Sequence, residues 1–224
     1  MKAHRHTLGH EHDYEPQYGL PDALPADEQL LWQGSPDVRT LAIEVFHVRK
    51  LVVYFAALMG LRVAFVVSDG GGFGDALAAL AWPLPVAALC IGVMLFLARH
   101  TALTTVYSIT SKRVVMRIGI VLNVTYNLPF KRIAAAGMRR RADGFGDIPL
   151  ALLRGERIAI LQLWPHARPW HLRQPEPMLR CLPDVAGVAA ILSTAWSEAT
   201  GITAVPAAAQ SSPASTPSLE LQPS

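Results

Sequence analysis

The stretch that decides the fold runs from Leu51 to Ala98 and reads LVVYFAALMGLRVAFVV (51–67), SDGGGFGD (68–75) and ALAALAWPLPVAALCIGVMLFLA (76–98). It consists of two apolar runs joined by a short glycine-rich loop. A helix that crosses the hydrocarbon core of a bilayer needs about 17 to 25 apolar residues at about 1.5 Å each. We therefore expect a transmembrane helical hairpin over residues 48–99, with a pair of buried helices in a soluble protein as the alternative.

Three features within the two runs refine this hairpin. Pro83 and Pro85 lack the backbone N–H that a continuous helix needs, so we expect the second helix to begin near Pro83 after an interfacial lead-in that ends on Trp82. Arg62 is unusual in an apolar run. It is expected either to snorkel to the outer headgroups or to make a polar contact with another membrane protein.

Small residues recur at helical spacing in both runs. Such residues let two helices approach closely, so we expect them to form the interface of the hairpin, with packing on a partner helix as the alternative. The residues concerned are Ala56, Gly60 and Ala64 in the first run and Ala88 and Gly92 in the second.

The charges are distributed unevenly around the hairpin. Of the 20 lysines and arginines, five precede the first run, one (Arg62) lies inside it and fourteen follow the second run, whereas the connecting loop carries only Asp69 and Asp75. Because basic residues are retained on the cytoplasmic side, both termini are expected there. The two cysteines, Cys90 and Cys181, are too few and too far apart for a disulfide framework or a zinc site.

Outside the hairpin, we expect one folded domain with a flexible segment at each end. Residues 1–19 contain His4, His6, His10 and His12 without hydrophobic periodicity, which is typical of a disordered tail, with metal binding as the alternative. Residues 201–224 are rich in proline, alanine and serine and are also expected to be disordered. Residues 20–47 contain too few apolar side chains for a core and are expected to pack on the domain.

From residue 101 the apolar period changes to two, which is typical of half-buried strands. Strands are expected over 104–110, 113–120, 122–128, 133–138, 148–153 and 158–163. An amphipathic helix should follow, with Asp184 as its N-cap and Gly201 at its end. The fold class predicted is an α+β membrane protein, in which the hairpin carries an antiparallel β-barrel or sandwich over residues 101–200 that is capped by a C-terminal helix.

Several motifs resemble those of a known family. LWQGSP (31–36), TVYSITSKR (105–113), PFKRI (129–133) and GFGDI (144–148) are similar to motifs of the bacterial membrane-anchored PH-domain proteins. The run LWPHARPW (163–170), followed by PEPMLR (175–180), resembles photosynthetic-complex assembly proteins of phototrophic bacteria. Phe145 departs from the small polar residue common in the Gly-x-Gly-Asp turn, so no role is carried over to that turn.

This resemblance implies a PH-like domain and a non-enzymatic role. It implies assistance in assembling the photosynthetic reaction centre and the light-harvesting 1 complex in the inner, intracytoplasmic membrane. The expected partners are subunits of these complexes or other assembly factors, and no cofactor is implied. The alternative is a general membrane-anchored PH module that binds lipid or assembles with its own copies.

Besides the small-residue faces of the hairpin, the residues offer two candidate contact sites and no enzyme motif. The cluster Trp164, His166, Arg168, Trp170 and His171 is expected to contact a partner, or else to pin a loop to the domain. The basic residues Lys131, Arg132, Arg139, Arg140 and Arg141 are expected either to bind anionic lipid or a partner, or to form a solvated face. Nucleic acid is not expected, because stacking aromatic residues are not interleaved with these charges. His47 and His100 flank the hairpin but have charged neighbours, which disfavours ligation of bacteriochlorophyll.

Overall fold

The computed structural model describes residues 19–119, 124–153, 158–159, 163–169, 171 and 175–201. Residues 1–18 and 202–224 of the two predicted tails, residues 120–123 and the arginine-bearing segment 154–157 lie outside these residues. The helices are α1 (Val38–Glu44), α2 (Val48–Ser68), α3 (Phe73–Leu80), α4 (Pro83–Thr104) and α5 (Val185–Thr200). The strands are β1 (Leu30–Gly34), β2 (Val106–Thr110), β3 (Arg113–Ile118), β4 (Val124–Pro129), β5 (Ile133–Ala136), β6 (Arg139–Arg140), β7 (Gly146–Leu152) and β8 (Met178–Leu182).

The strands form two antiparallel sheets. The first has the order β1-β2-β3-β4, and in the second β7 pairs with β5, β6 and β8. Both sheets and α5 contribute to one core, which includes Tyr107, Met116, Ile148, Leu179 and Leu192. A closed barrel is not seen among the described residues, so the β component is the two-sheet form of the predicted architecture.

The hairpin is inserted between two neighbouring strands of the first sheet. β1 precedes α2, whereas β2 follows α4, and the two strands pair antiparallel with Trp32 opposite Ile109 and Gly34 opposite Tyr107. The residues before β1 also lie on this sheet: Leu20 is buried, and Glu28 Oε1 accepts a hydrogen bond from Arg113 Nε at 2.7 Å. The segment before the hairpin is therefore part of the folded domain.

The two apolar runs form helices that are long and apolar enough to cross a membrane. The second of them begins at Pro83, as its prolines predict, and α3 occupies the lead-in. α4 then extends beyond the predicted hairpin to Thr104, so the strand predicted over 104–110 begins only at Val106. The last turns of α4 stay helical because Ala98 and Ala102 are buried in a second apolar cluster with Leu41.

The C-terminal half confirms some predicted elements and corrects others. α5 has its predicted caps: Asp184 Oδ1 accepts a hydrogen bond from Gly187 N at 3.2 Å, and Gly201 has a φ of 68°. In the segment 158–163, however, the described residues 158–159 and Leu163 are not in a strand. The partner of β7 is instead β8, whose five residues lie between two prolines in a segment that shows no strand pattern.

The small residues of the hairpin do not form its interface. The partly covered side chains of α2 are the large ones at the same helical spacing, Leu51, Phe55, Met59, Val63 and Val66, whereas Ala56, Gly60 and Ala64 are exposed. Ala88 and Gly92 on α4 are exposed too, and a Cβ placed on Gly60 or Gly92 would meet no atom within 4 Å. The predicted interface is therefore wrong. Small residues permit a close approach but do not select the face that is used.

Arg62 makes a contact within the hairpin that neither sequence interpretation included. Its Nε donates a hydrogen bond to the carbonyl oxygen of Ala79 in α3 at 2.8 Å. In an unbroken helix this carbonyl would accept from the N–H of residue 83, but Pro83 has none. Arg62 thus satisfies the backbone acceptor that the proline break leaves open.

Candidate functional site

A buried polar network centred on His166 joins the loop 163–169 to the end of the hairpin. The His166 side chain has no solvent exposure, its Nδ1 lies 2.6 Å from the Tyr107 hydroxyl, and its Nε2 lies 3.2 Å from Thr105 Oγ1. The Tyr107 hydroxyl also accepts a hydrogen bond from the backbone N–H of Arg180 at 3.3 Å. Thr105 is the C-cap of α4, so one imidazole connects the hairpin, β2 and β8.

The network is uncharged at neutral pH. Burial lowers the pKa of His166 to about 3, and it raises the pKa of Tyr107 far above its ordinary value. Of the two neutral tautomers of His166, the one protonated on Nε2 accepts from the Tyr107 hydroxyl at Nδ1 and donates to Thr105 Oγ1. Both imidazole nitrogens, the Tyr107 hydroxyl and Thr105 Oγ1 each have a polar partner, which is typical of side chains with a structural role.

Backbone contacts hold the same loop against β8. The N–H of Met178 donates to the His166 carbonyl at 2.8 Å, and Arg180 donates from its guanidinium to the Pro165 carbonyl at 2.9 Å. Ala167 forms a β-bridge with Pro177. Residues 165–167, the centre of the loop, are therefore fixed against β8 and the residue before it.

This fixed loop presents Trp164 at the base of the hairpin. Its side chain is 53% exposed, and its ring packs edge-on against Phe46 with the centroids 5.8 Å apart. Phe46 immediately precedes His47, the N-cap of α2, and belongs to the apolar cluster that joins α1, α4 and β8. Trp164 thus lies beside the first turn of one candidate membrane helix.

The structure separates the remaining residues of this predicted cluster. The burial of His166 leaves it no surface for a partner, which corrects the expectation of a contact residue and matches the alternative of a pinned loop. Arg168 forms an ion pair with Glu176 at 2.7 Å, and the Nδ1 of His171 lies 3.1 Å from the Pro169 carbonyl oxygen. Trp170 lies outside the described residues.

The basic residues predicted to act together are divided between the two ends of β7. Arg139 and Arg140 are exposed on β6, which pairs with the start of β7, whereas the Arg132 carbonyl accepts from Leu153 just past its end. Seven strand residues at about 3.3 Å each separate the two groups by about 20 Å. Lys131 and Arg132 therefore do not share one patch with the other three.

Arg141 is largely covered by the domain and is not part of an exposed patch. Its guanidinium donates to Asp147 Oδ2 at 3.2 Å, and Asp147 Oδ1 accepts from the backbone N–H of Cys181 at 2.9 Å. Burial raises the pKa of the Cys181 thiol to about 12, so this cysteine is a neutral thiol. The Cys181 carbonyl in turn accepts from the N–H of Asp37, the N-cap of α1.

The two histidines at the hairpin boundary differ in their surroundings. His47 is exposed and has a left-handed backbone with a φ of 54°. His100 is partly buried against Phe96, and its Nδ1 has no hydrogen-bond partner in the structure. No group of three or more histidine, cysteine, aspartate or glutamate side chains that could hold a metal occurs among the residues that the structure describes.

The chain of buried polar contacts behind Trp164 is not predicted by the sequence. Tyr107, Asp147 and Arg180 lie in separate motifs, and nothing in their spacing shows that they meet. The single available signal was the compact run 163–170, whose mixture of proline, histidine and aromatic residues marked the segment but not its burial.

The fold and the hairpin-linked site define a PH-like domain attached to two long apolar helices. The family model of the bacterial PH domain matches residues 48–196, which is more than half of the chain, so the protein belongs to the bacterial PH domain family. The match includes the hairpin and begins after β1.

Two known proteins resemble the chain. A 23.7 kDa protein in the puhA 5′ region of Rhodobacter capsulatus is 40% identical over 187 residues, which cover 83% of this chain and 87% of that protein. A crystal structure of a DUF1696 family protein with a pleckstrin-homology domain from Shewanella loihica shares 14% identity with a TM-score of 0.27, over 40% of this chain and 69% of that one.

Proposed function

We propose that this protein is a non-enzymatic assembly factor, of the type called PuhB, for the photosynthetic reaction centre and the light-harvesting 1 complex. The observation that carries the proposal is the Rhodobacter capsulatus relative, which matches most of both chains and is encoded next to the photosynthesis gene puhA. The motif resemblance in residues 163–180 points to the same process.

The proposed location is the inner, intracytoplasmic membrane, with the hairpin spanning the bilayer and both termini in the cytoplasm. Two helices of sufficient length and apolar character support the span. The side chains of α2 support it further, because none of them is buried within the protein and their apolar surface needs a cover such as lipid. The excess of basic residues after the second run supports the orientation.

The action proposed is transient contact with subunits of the two complexes or with other assembly factors. The exposed small-residue faces of α2 and α4 are available to a helix of a partner or of a second copy, because the hairpin itself closes through other side chains. The exposed Arg139 and Arg140 are available to an acidic surface or an anionic headgroup. The protein would then bring no cofactor and no chemistry of its own.

Deletion of the gene in its host tests this function. The near-infrared absorption of the membranes should show weaker reaction-centre and light-harvesting 1 bands, and the intact gene supplied in trans should restore them. A gene for the Trp32→Phe variant, which keeps an aromatic ring against the domain core, is a control that should restore them equally. Unchanged bands in the deletion strain would contradict the proposal.

A further inference from the structure

We propose that Trp164 is an interfacial membrane anchor, which inserts into the headgroup region of the bilayer on the domain side of the hairpin and sets the orientation of the PH-like domain. This inference rests on the membrane span proposed above. It assigns the surface around Trp164 to lipid, a role that differs from contact with a protein subunit.

The depth of Trp164 follows from its neighbours. Its ring packs on Phe46, two residues before α2 begins at Val48, and Val48 packs on the cluster that contains Ala98 of α4. The side chain thus lies at the level where both long helices enter the domain. If the helices span the bilayer, this level is the interface between hydrocarbon and water.

The chemistry of the side chain suits that depth. An indole has an apolar body and one N–H donor, and tryptophan is enriched at membrane interfaces because it satisfies both environments there. More than half of the Trp164 side chain is exposed, which is costly in water but favourable among headgroups. Arg49, Lys50 and Arg99 are exposed at the same level, and basic residues at the membrane surface attract anionic lipids.

The rigidity of the loop makes the anchor effective. His166 is fixed to Tyr107 and Thr105, and Arg180 is fixed to the Pro165 carbonyl, so Trp164 cannot withdraw without breaking buried hydrogen bonds. The two helices are packed on the domain, but together with it they can still tilt in the bilayer. A third contact with the bilayer, outside the two helices, limits this tilt.

Fluorescence quenching of the full-length protein in vesicles tests the anchor. The vesicles contain phosphatidylglycerol and a phosphatidylcholine brominated either near the carbonyl end or near the methyl end of its acyl chains. The emission of Trp164 is obtained by subtracting the spectrum of the Trp164→Phe variant from that of the wild type. We expect loss of most of this difference emission with the shallow bromines and a smaller loss with the deep ones.

The Trp196→Phe variant is the matched control. Trp196 donates from its indole to the Phe130 carbonyl at 3.3 Å. Phe130 follows Pro129, which pairs with Arg113 at the end of β3 that is farther from the hairpin. The length of β3, about 15–20 Å, therefore separates Phe130 from the hairpin. The difference emission of Trp196 should be unchanged by either lipid. Circular dichroism of both variants establishes that each retains the fold.

Three other outcomes would overturn the inference in distinguishable ways. In the first, the protein floats with the vesicles, but neither brominated lipid changes the difference emission of Trp164. This result would overturn the anchor and leave the membrane span in place. The same result together with reduced complex accumulation in cells that carry Trp164→Phe would assign the residue to a protein partner. Protein that does not float with the vesicles would overturn the membrane span itself.

Discussion

Replacing Arg62 by leucine is the most direct way to test how the hairpin is held closed. The substitution removes the donor to the Ala79 carbonyl, which is 2.8 Å from Arg62 Nε, and retains an apolar side chain in the first long helix. The Ala79 carbonyl then has no donor from the helix backbone, since position 83 is proline. A second substitution, Pro83→Ala, supplies an N–H at the position where an unbroken helix would provide it.

The magnitude follows from the type of bond. A hydrogen bond with a charged donor contributes about 1.5–3 kcal/mol in water-soluble proteins, whereas measured interhelical bonds in membranes contribute about 0.6–2 kcal/mol. We therefore expect Arg62→Leu to lower the free energy of unfolding by about 1–2 kcal/mol. The Pro83→Ala change alone should cost about 0.4–1 kcal/mol through the freer unfolded chain. In the double variant the loss should be smaller than the sum by about 1 kcal/mol, because the new N–H serves Ala79.

Reversible unfolding in mixed micelles of a nonionic detergent and dodecyl sulfate measures these differences, with helical circular dichroism as the signal. Arg62→Lys is the informative control. A lysine keeps the charge and can snorkel, but it lacks the planar Nε–H that reaches Ala79.

Two results would refute the reasoning. If Arg62→Lys is as stable as the wild type, the residue acts through its charge at the interface and not through the Ala79 bond. If the losses of Arg62→Leu and Pro83→Ala are simply additive, the proline break and the arginine are unrelated.

The remaining predictions concern the buried polar groups of the domain. Because burial lowers the pKa of His166 to about 3 from about 6.5, the unfolded chain takes up the proton first. The free energy of unfolding should therefore fall as the pH decreases from about 7 to about 5. Chemical unfolding should show a fall that is about 2 kcal/mol larger in the wild type than in His166→Gln. An equal pH dependence in the two proteins would contradict this prediction. Asp147→Ala should cost about 3 kcal/mol in thermal unfolding, since it leaves the guanidinium of Arg141 buried without its carboxylate. Asp143→Ala, at an exposed carboxylate 4.0 Å from the same arginine, should cost little, and a similar loss in both would argue against a special role of the buried pair.

The elements that the sequence predicts well are those set by local rules. Two long apolar runs predict α2 and α4, proline chemistry places the start of α4 at Pro83, and Asp184 and Gly201 bound α5. In each case the signal and the structure that it determines lie within a few residues of each other. The alternation of apolar residues likewise predicts β3, which is separated from β2 by two residues and from β4 by five in the sequence.

The elements that the sequence misses depend on contacts between distant parts of the chain. Gln33 in β1 hydrogen-bonds Ser108 in β2 across 75 positions, so no local pattern could show that β1 completes the sheet. The candidate site has the same character: the run at 163–170 is visible, but its division into a buried His166 and an exposed Trp164 is determined by Tyr107, which is 59 positions away. The prediction that the small residues form the hairpin interface is wrong because residue size alone does not determine which face of a helix makes the contact.

The insertion of the hairpin within a sheet makes the order of synthesis important. β1 leaves the ribosome before either long helix, but β2, its neighbour in the sheet, is made after both. The β1–β2 pair can therefore form only after the whole hairpin has been synthesised. A chain truncated within the hairpin would contain β1 but none of the strands β2 to β4, so it could not form the first sheet.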